Sequence, residues 1–157
     1  MDRLWSPWRY RYVSKQGLDE CIFCVKIAEN DDKKNYIIHR AEKNFVLLNL
    51  YPYTSGHLMV APYRHVPTLA ESDPAALEEM ILLAQRAETA LQKAYRPKGF
   101  NMGLNIGESA GAGIAGHIHM HVLPRWPGDA NFMTTIGETR VMPEDLETTY
   151  EKLKEAF

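Results

Sequence analysis

Only two cysteines, Cys21 and Cys24, occur in the 157-residue chain. That count excludes the disulfide framework that staples small secreted domains. No stretch approaches the roughly 20 apolar residues needed to span a bilayer. Charge of one sign is lacking as well. The 18 basic residues are balanced by 20 acidic ones, for a formal net of −2, and no run of Lys or Arg is long enough to grip a polyanion. Nucleic acid and membrane surfaces are therefore not expected as partners, whereas a small phosphate-bearing ligand held by local donors is compatible with this balance. The opening MDRLWSPWRYRY lacks the apolar core of a secretory signal, so a cytoplasmic protein is expected. Repeats, linkers and low-complexity segments are also missing. The expectation is one domain over residues 1–157, with residues 1–20 as an arm packed across it.

What is present reads as alternating strands and helices. NYIIHR, FVLLNLYPY and GHLMVAPYRHV are rich in strand formers and bounded by polar or glycine-containing connections. From Asp73 the period changes. Leu77, Met80, Ile81, Ala84, Ala87, Leu91 and Tyr95 follow helical spacing, with Asp73 as N-cap and Pro74 in the first turn. FNMGLNIG and HIHMHVLPR alternate again as strands, on either side of a glycine-rich loop at 107–116. Leu146, Tyr150, Leu153 and Phe157 predict a closing amphipathic helix. Short connections between neighbouring strands favour antiparallel pairing. The expected class is α+β: a mostly antiparallel sheet of about five strands, with one long helix and one C-terminal helix on one face.

Three of the six histidines, His117, His119 and His121, stand at alternate positions behind that loop. On a strand they project from one face while Ile118, Met120 and Val122 project from the other, which predicts an apolar core face and an open groove lined by imidazoles. Three readings compete: a metal site, a nucleophile with its helpers, or a histidine-rich surface strand. The C-x-x-C spacing of Cys21 and Cys24 suggests a metal pair that lacks two of its four ligands, and histidines could supply them. The glycines between Asn105 and His117 allow backbone N–H groups to converge on an anion, but without the Lys-Ser/Thr ending of a P-loop. Taken together, loop and histidines suit phosphoryl transfer: backbone donors for the phosphate, a neutral imidazole as nucleophile, and an imidazolium to protonate the leaving group. The middle histidine, flanked by two partners, is the best nucleophile.

HIHMHV matches the His-φ-His-φ-His-φ-φ motif (φ apolar) of the histidine triad superfamily. CIFC, NLYPYTSGHLMVAPYRH and NIGESAGAGIAGHIHMHVLPRW follow the order and spacing of that family, which the chain resembles over most of its length. The resemblance implies a small α+β homodimer that binds nucleotides and cleaves a bond at the α-phosphate through a covalent nucleotidyl-histidine. Carried over, His119 is the nucleophile, His121 contacts the scissile phosphate and leaving group, and His57 joins the cluster. Asn105 and the backbone at Gly111 and Gly113 match the phosphate-contacting region. Asn49 stands where the family hydrogen-bonds the ribose, although an ordinary strand-end cap is an equal alternative. Leu47, Leu50 and Ile27 are expected as walls of the base pocket.

Zinc-containing members pair the C-x-x-C with two histidines that correspond here to His65 and His117. The resemblance thus implies a structural Zn²⁺ on Cys21, Cys24, His65 and His117, leaving two triad histidines for chemistry. Mg²⁺ arriving with a polyphosphate is a further expectation. LWSPWRYRY, LPRW and GDANFMTTIG are similar to the bacterial branch associated with diadenosine tetraphosphate phosphorylase or hydrolase activity, with water or phosphate as acceptor. In that setting Trp126 is expected to stack on a second nucleoside, or else to seal the sheet edge. The chain departs from its relatives at Gly113 and Ile114, where many have Gln followed by Ser or Thr; Ser109 is the candidate replacement hydroxyl. Alternatives to a diadenosine polyphosphate enzyme are an adenosine phosphoramidase, a non-catalytic nucleotide-binding module and a purely structural zinc protein.

Overall fold

The protein's computed structural model describes residues 20–157 except 138 and 140. The arm expected at 1–20 therefore lies outside the described residues apart from Glu20. Helix α1 (Ile22–Glu29) opens the described chain. It is followed by β1 (Ile37–Arg40), β2 (Asn44–Leu48) and β3 (Leu58–Pro62). The long helix α2 (Pro74–Tyr95), β4 (Gly99–Leu104), a 3-10 turn (Glu108–Ala110) and β5 (Met120–Arg125) come next. The short α3 (Phe132–Thr135) and α4 (Leu146–Ala156) close it.

The five strands form one antiparallel sheet in the order β1-β2-β3-β5-β4. The crossover from β3 through α2 to β4 leaves a slot that β5, arriving last, fills. The histidine strand is consequently paired on both sides near the middle of the sheet. In β2 all five residues are buried, which is why its sequence reads as an unbroken apolar run rather than an alternation. Val46 and Leu48 face α2 and α4, in a core shared with Val60, Val122, Met80, Leu91 and Leu153. Phe45 and Leu47 face the other way, against Met59, Ala61 and Phe23 of α1.

That second layer corrects the expectation of helices on a single face. α1 was not foreseen, because eight residues containing a C-x-x-C carry little helical period of their own; its stability comes from burying Phe23 (1% exposed). The long helix begins as predicted, with the Asp73 side chain accepting the Ala75 N–H at 3.1 Å and Pro74 at the start, a cap worth about 1 kcal/mol. Its inward stripe differs from the expected one, with Ala76, Leu83 and Ala90 buried in place of Leu77 and Ile81. Leu83 is buried and Ile81 is 58% exposed, since the row Ala76, Met80, Ala84, Ala87 carries position 83, not 81, to the sheet. The last strand starts at Met120, so His117 and His119 precede it, His117 in a bend where its N–H donates to the Ile114 carbonyl at 3.3 Å. No helix among the described residues is long and apolar enough to cross a membrane.

Candidate active site

Every triad histidine is buried: His117 is 0%, His119 4% and His121 9% exposed. This overturns the open groove expected from strand alternation, and the reason is α1. Phe23 sits with its ring centroid 5.0 Å from both His117 and His119, roofing a face that the strand pattern alone leaves bare. What remains is a cleft between α1, the end of β2 and the glycine loop. Its lining includes His119, His121, Asn49, Leu47, Leu50, Asn105, Gly111 and Gly113, so eight expected site residues converge there. Sequence reasoning missed Ile22, Phe23, Lys26, Tyr53 and Met59, which also line it. The first three are adjacent on one face of α1, and only recognition of that helix would have exposed them.

The hydrogen bonds assign the tautomers. His119 Nδ1 lies 2.9 Å from the His117 carbonyl. A carbonyl only accepts, so Nδ1 carries the proton and Nε2 keeps its lone pair. At His57, 1% exposed, the Tyr53 backbone N–H donates to Nδ1 at 3.1 Å. Nε2 of the neutral ring is therefore protonated, and it lies 2.9 Å from His121 Nδ1. His57 donates there, which leaves His121 with its proton on Nε2. The chain of donors runs Tyr53 N–H, His57, His121, and ends in an N–H available to a ligand. Tyr53 packs on the pair, its ring tilted against His57 at a centroid distance of 4.7 Å and stacked on His121 at 5.9 Å.

Burial sets the charge state. Desolvation, and then the neighbouring His119, lowers His121 from the ordinary histidine value to about 4. Desolvation also lowers His119, against a smaller opposing effect of the His117 carbonyl. His57 is pushed well below the usual range by burial and then by His121 and His119. The expected imidazolium is thus replaced by a neutral imidazole that donates an N–H already in place. Lys26, half-buried at the cleft wall, is lowered by desolvation with Glu29 opposing.

The glycine loop divides by task. Gly111 closes the 3-10 turn at φ 85°, in the left-handed region that favours glycine, and reaches the cleft. Gly116 backs a different group: a Cβ there would stand 3.3 Å from His65 Nε2. Ser109 is exposed on the turn and does not line the cleft, so it supplies no hydroxyl there. Ile114 packs against the core formed around Phe23 and Phe45, which accounts for an apolar residue at that position.

Asn49 forms the cap that was one of its two alternatives, and it stands at the cleft. Its Oδ1 caps the turn by accepting the Tyr51 N–H at 2.9 Å, and its side chain lines the cleft. One other expectation is corrected. Ile27 is not a wall of the cleft; it packs on the core beneath α1. Trp126 lines a separate pocket with Tyr95, Val141 and Met142, and Tyr53 is the residue common to both cavities. The chain turns away at the end of β5, and Trp126 turns with it.

The cysteine and histidine group assembles as the resemblance implied. The ligand atoms of Cys21, Cys24, His65 and His117 all lie within 4.8 Å of one another. Cys21 Sγ is 3.3 Å and Cys24 Sγ 3.8 Å from His117 Nδ1, and Cys24 Sγ is 3.5 Å from His65 Nδ1. Zinc held at about 2.3 Å by sulfur and about 2.0 Å by nitrogen separates tetrahedral S and N ligands by about 3.5 Å. The donor set fits. His117 Nε2 donates to the Pro62 carbonyl at 2.8 Å, turning the Nδ1 lone pair toward the thiols in the way a supporting hydrogen bond orients a ligand. Burial, then Cys21, raises the Cys24 thiol. No carboxylate lines the cleft among the described residues, so the protein offers Mg²⁺ no acidic ligand there.

Sequence and fold comparisons agree with this geometry. The HIT domain family matches residues 30–128. An AP-4-A phosphorylase of Mycobacterium tuberculosis is 38% identical, the match covering 95% of this chain and 80% of the relative. Among solved structures, a Zn-bound histidine triad family protein from Mycobacterium smegmatis has a TM-score of 0.72 at 27% identity, covering 87% of this chain and 92% of that one. A hypothetical histidine triad nucleotide-binding protein from Sulfolobus tokodaii has a TM-score of 0.70 at 28% identity, covering 87% and 91%.

Proposed function

The chain belongs to the HIT domain family, and from that premise we propose that it cleaves diadenosine polyphosphates, such as diadenosine tetraphosphate, at the α-phosphate through an AMP-histidine intermediate. The observation that carries this reading is the pair of fixed tautomers. His119 turns an unprotonated Nε2 and His121 a protonated Nε2 into one cleft that also holds Asn49, Asn105 and the glycine loop. The His119 lone pair attacks phosphorus and forms a P–N bond, while the P–O bond to the polyphosphate breaks and that oxygen leaves with the electron pair. His121 Nε2–H hydrogen-bonds the departing charge, which needs no prior protonation of the ring. The acceptor then attacks phosphorus, the P–N bond breaks, and the imidazole is restored. Water yields AMP and inorganic phosphate yields ADP; the similarity to an AP-4-A phosphorylase supports phosphate.

The Cys₂His₂ group is the proposed holder of a structural Zn²⁺. Bound there, zinc supplies no catalytic step; it ties α1 to the chain leading into β5. The molecule is proposed to act as a homodimer. Supporting this, β4 is an open sheet edge with Met102 42% exposed, and Ile81 and Leu82 stand out from α2.

The test is incubation with diadenosine tetraphosphate, with and without phosphate. ADP formed only with phosphate identifies phosphorolysis, and AMP in both identifies hydrolysis. An intact-mass gain of one adenylyl group, absent in His119→Ala, identifies the intermediate. No turnover in either condition defeats the substrate assignment. The displacement of Trp126 from the cleft favours a second reading, an adenosine phosphoramidase, which needs no second-nucleoside contact. Trp126→Ala separates them: under the lead reading dinucleotide turnover falls relative to phosphoramidate turnover, and under the second no such preference exists to lose.

A further inference from the structure

Phe23, 1% exposed, stands between Cys21 and Cys24 in the sequence. Its ring lies against two imidazoles with different tasks: His117, tilted by 50°, and His119, tilted by 44°, each at a centroid distance of 5.0 Å. The His119 ring makes one hydrogen bond among the described residues, from Nδ1–H to the His117 carbonyl at 2.9 Å. One bond fixes a point on a ring and leaves its plane free to swing about that point. The plane is set by the neighbouring rings, Phe23 and, edge-on at 4.9 Å, His121. His121 is held in turn by His57 at 2.9 Å. Phe23 is held by α1, whose start carries the cysteines, with Cys21 Sγ 3.3 Å from His117 Nδ1. His117 thus turns its side chain to the cysteines and its carbonyl to the nucleophile, and Phe23 packs on both rings.

Resting on the reading of His119 as the nucleophile toward an α-phosphate, we propose that Phe23 is a positioning residue for it: the phenyl ring holds the His119 imidazole in the plane from which Nε2 meets phosphorus, and the Cys₂His₂ group holds Phe23. Attack requires the Nε2 lone pair in line with the P–O bond that breaks. That lone pair lies in the ring plane, so it turns away as the ring turns. A misplacement of about 1 Å costs on the order of 10²-fold in rate. The cysteines therefore act on the chemistry without touching the reacting atoms, through one phenyl ring and one backbone carbonyl. A merely apolar wall changes ligand affinity; a ring that sets the plane of His119 changes turnover.

The ring-nitrogen shifts of His119, read by long-range proton–nitrogen NMR on the full chain at neutral pH without substrate, report its tautomer directly. The wild type should show a single form protonated on Nδ1. Phe23→Leu keeps an apolar side chain and removes the flat face; it should move these signals toward a mixture of tautomers without changing zinc content. It should also lower kcat on diadenosine tetraphosphate by about 10- to 100-fold, with KM changed little. Unmoved signals, or a loss confined to KM, overturn the role of Phe23. Should Phe23→Leu not fold, Phe23→Met carries the same comparison. Stripping the wild type with a chelator should move the His119 signals in the same direction. A spectrum that stays put, whether or not metal was released, overturns the link to the cysteines. The spectra need no substrate, so the expected shifts in a protein that shows no turnover overturn the substrate assignment and not the position of Phe23.

Discussion

Replacing His57 with Leu tests whether His121 works because its tautomer is imposed. The substitution is close in volume, so little cavity arises, but it deletes the two short hydrogen bonds of the ring at once, together with a longer contact to the Asn49 amide at 3.4 Å. His121 Nδ1 loses the donor at 2.9 Å, and the Tyr53 N–H loses its acceptor at 3.1 Å. Each buried polar group left unpaired costs about 1–3 kcal/mol. Burial of leucine offsets part of this, so the variant should lose roughly 2–4 kcal/mol in urea denaturation. The chemistry suffers separately. A neutral His121 without its donor no longer prefers the Nε2–H form and competes for its own proton. General acid assistance contributes about 10²–10⁴ in rate, and since the ring remains, a kcat loss of about 10- to 100-fold is expected with KM nearly unchanged. His57→Gln supplies the control. Its amide N–H can donate to His121 while its carbonyl accepts from Tyr53, so it should recover most of the kcat. A His57→Leu enzyme within twofold of wild-type kcat, or a Gln variant no better than Leu, would refute the argument.

Three further perturbations follow from the same contacts. Gly56 lies at φ 79°, and a Cβ there would stand 2.9 Å from Leu91 Cδ2; Gly56→Ala should cost about 1–3 kcal/mol in thermal or urea unfolding, and an unchanged midpoint contradicts the turn geometry. Because His121 in the fold is lowered to about 4, the unfolded chain takes up a proton near pH 6.5 that the folded chain refuses. Stability should therefore be full above about pH 6.5, fall by at most about 1.4 kcal/mol per pH unit for this group as pH drops toward 4, and level off below; His57 acts in the same direction. Urea midpoints at pH 7 and 4.5 measure this, and flatness across that window refutes it. Cys24→Ser should lower bound zinc in elemental analysis and weaken AMP binding several-fold, since Cys21 and Cys24 flank the cleft residues Ile22 and Phe23 at the start of α1; normal zinc content in the variant would sink the four-ligand assignment.

The long helix was legible because 22 residues of period and an Asp-Pro start say so locally. The strands, the antiparallel class and the histidine motif were legible for a similar reason: strand-forming residues, short connections and the alternate spacing of the histidines are properties of the chain itself. Even the four members of the Cys/His group could be named in advance, although only through family resemblance, because Cys24 and His117 are 93 positions apart. Other features depended on what the chain is folded against. Alternation told which residues share a face, but not that α1 would cover the histidine face, since a short helix forms only where Phe23 finds a place to be buried. The tautomers of His119 and His117 are set by the backbone carbonyls of His117 and Pro62, and that of His57 by the Tyr53 N–H. Lys26 came to line the cleft, and Ile27 and Trp126 did not, by the rotation of α1 and the turn after β5. Residue types and their spacing determined which chemical groups were available; packing at long sequence separation decided their protonation, their burial and which of them meet in one cleft.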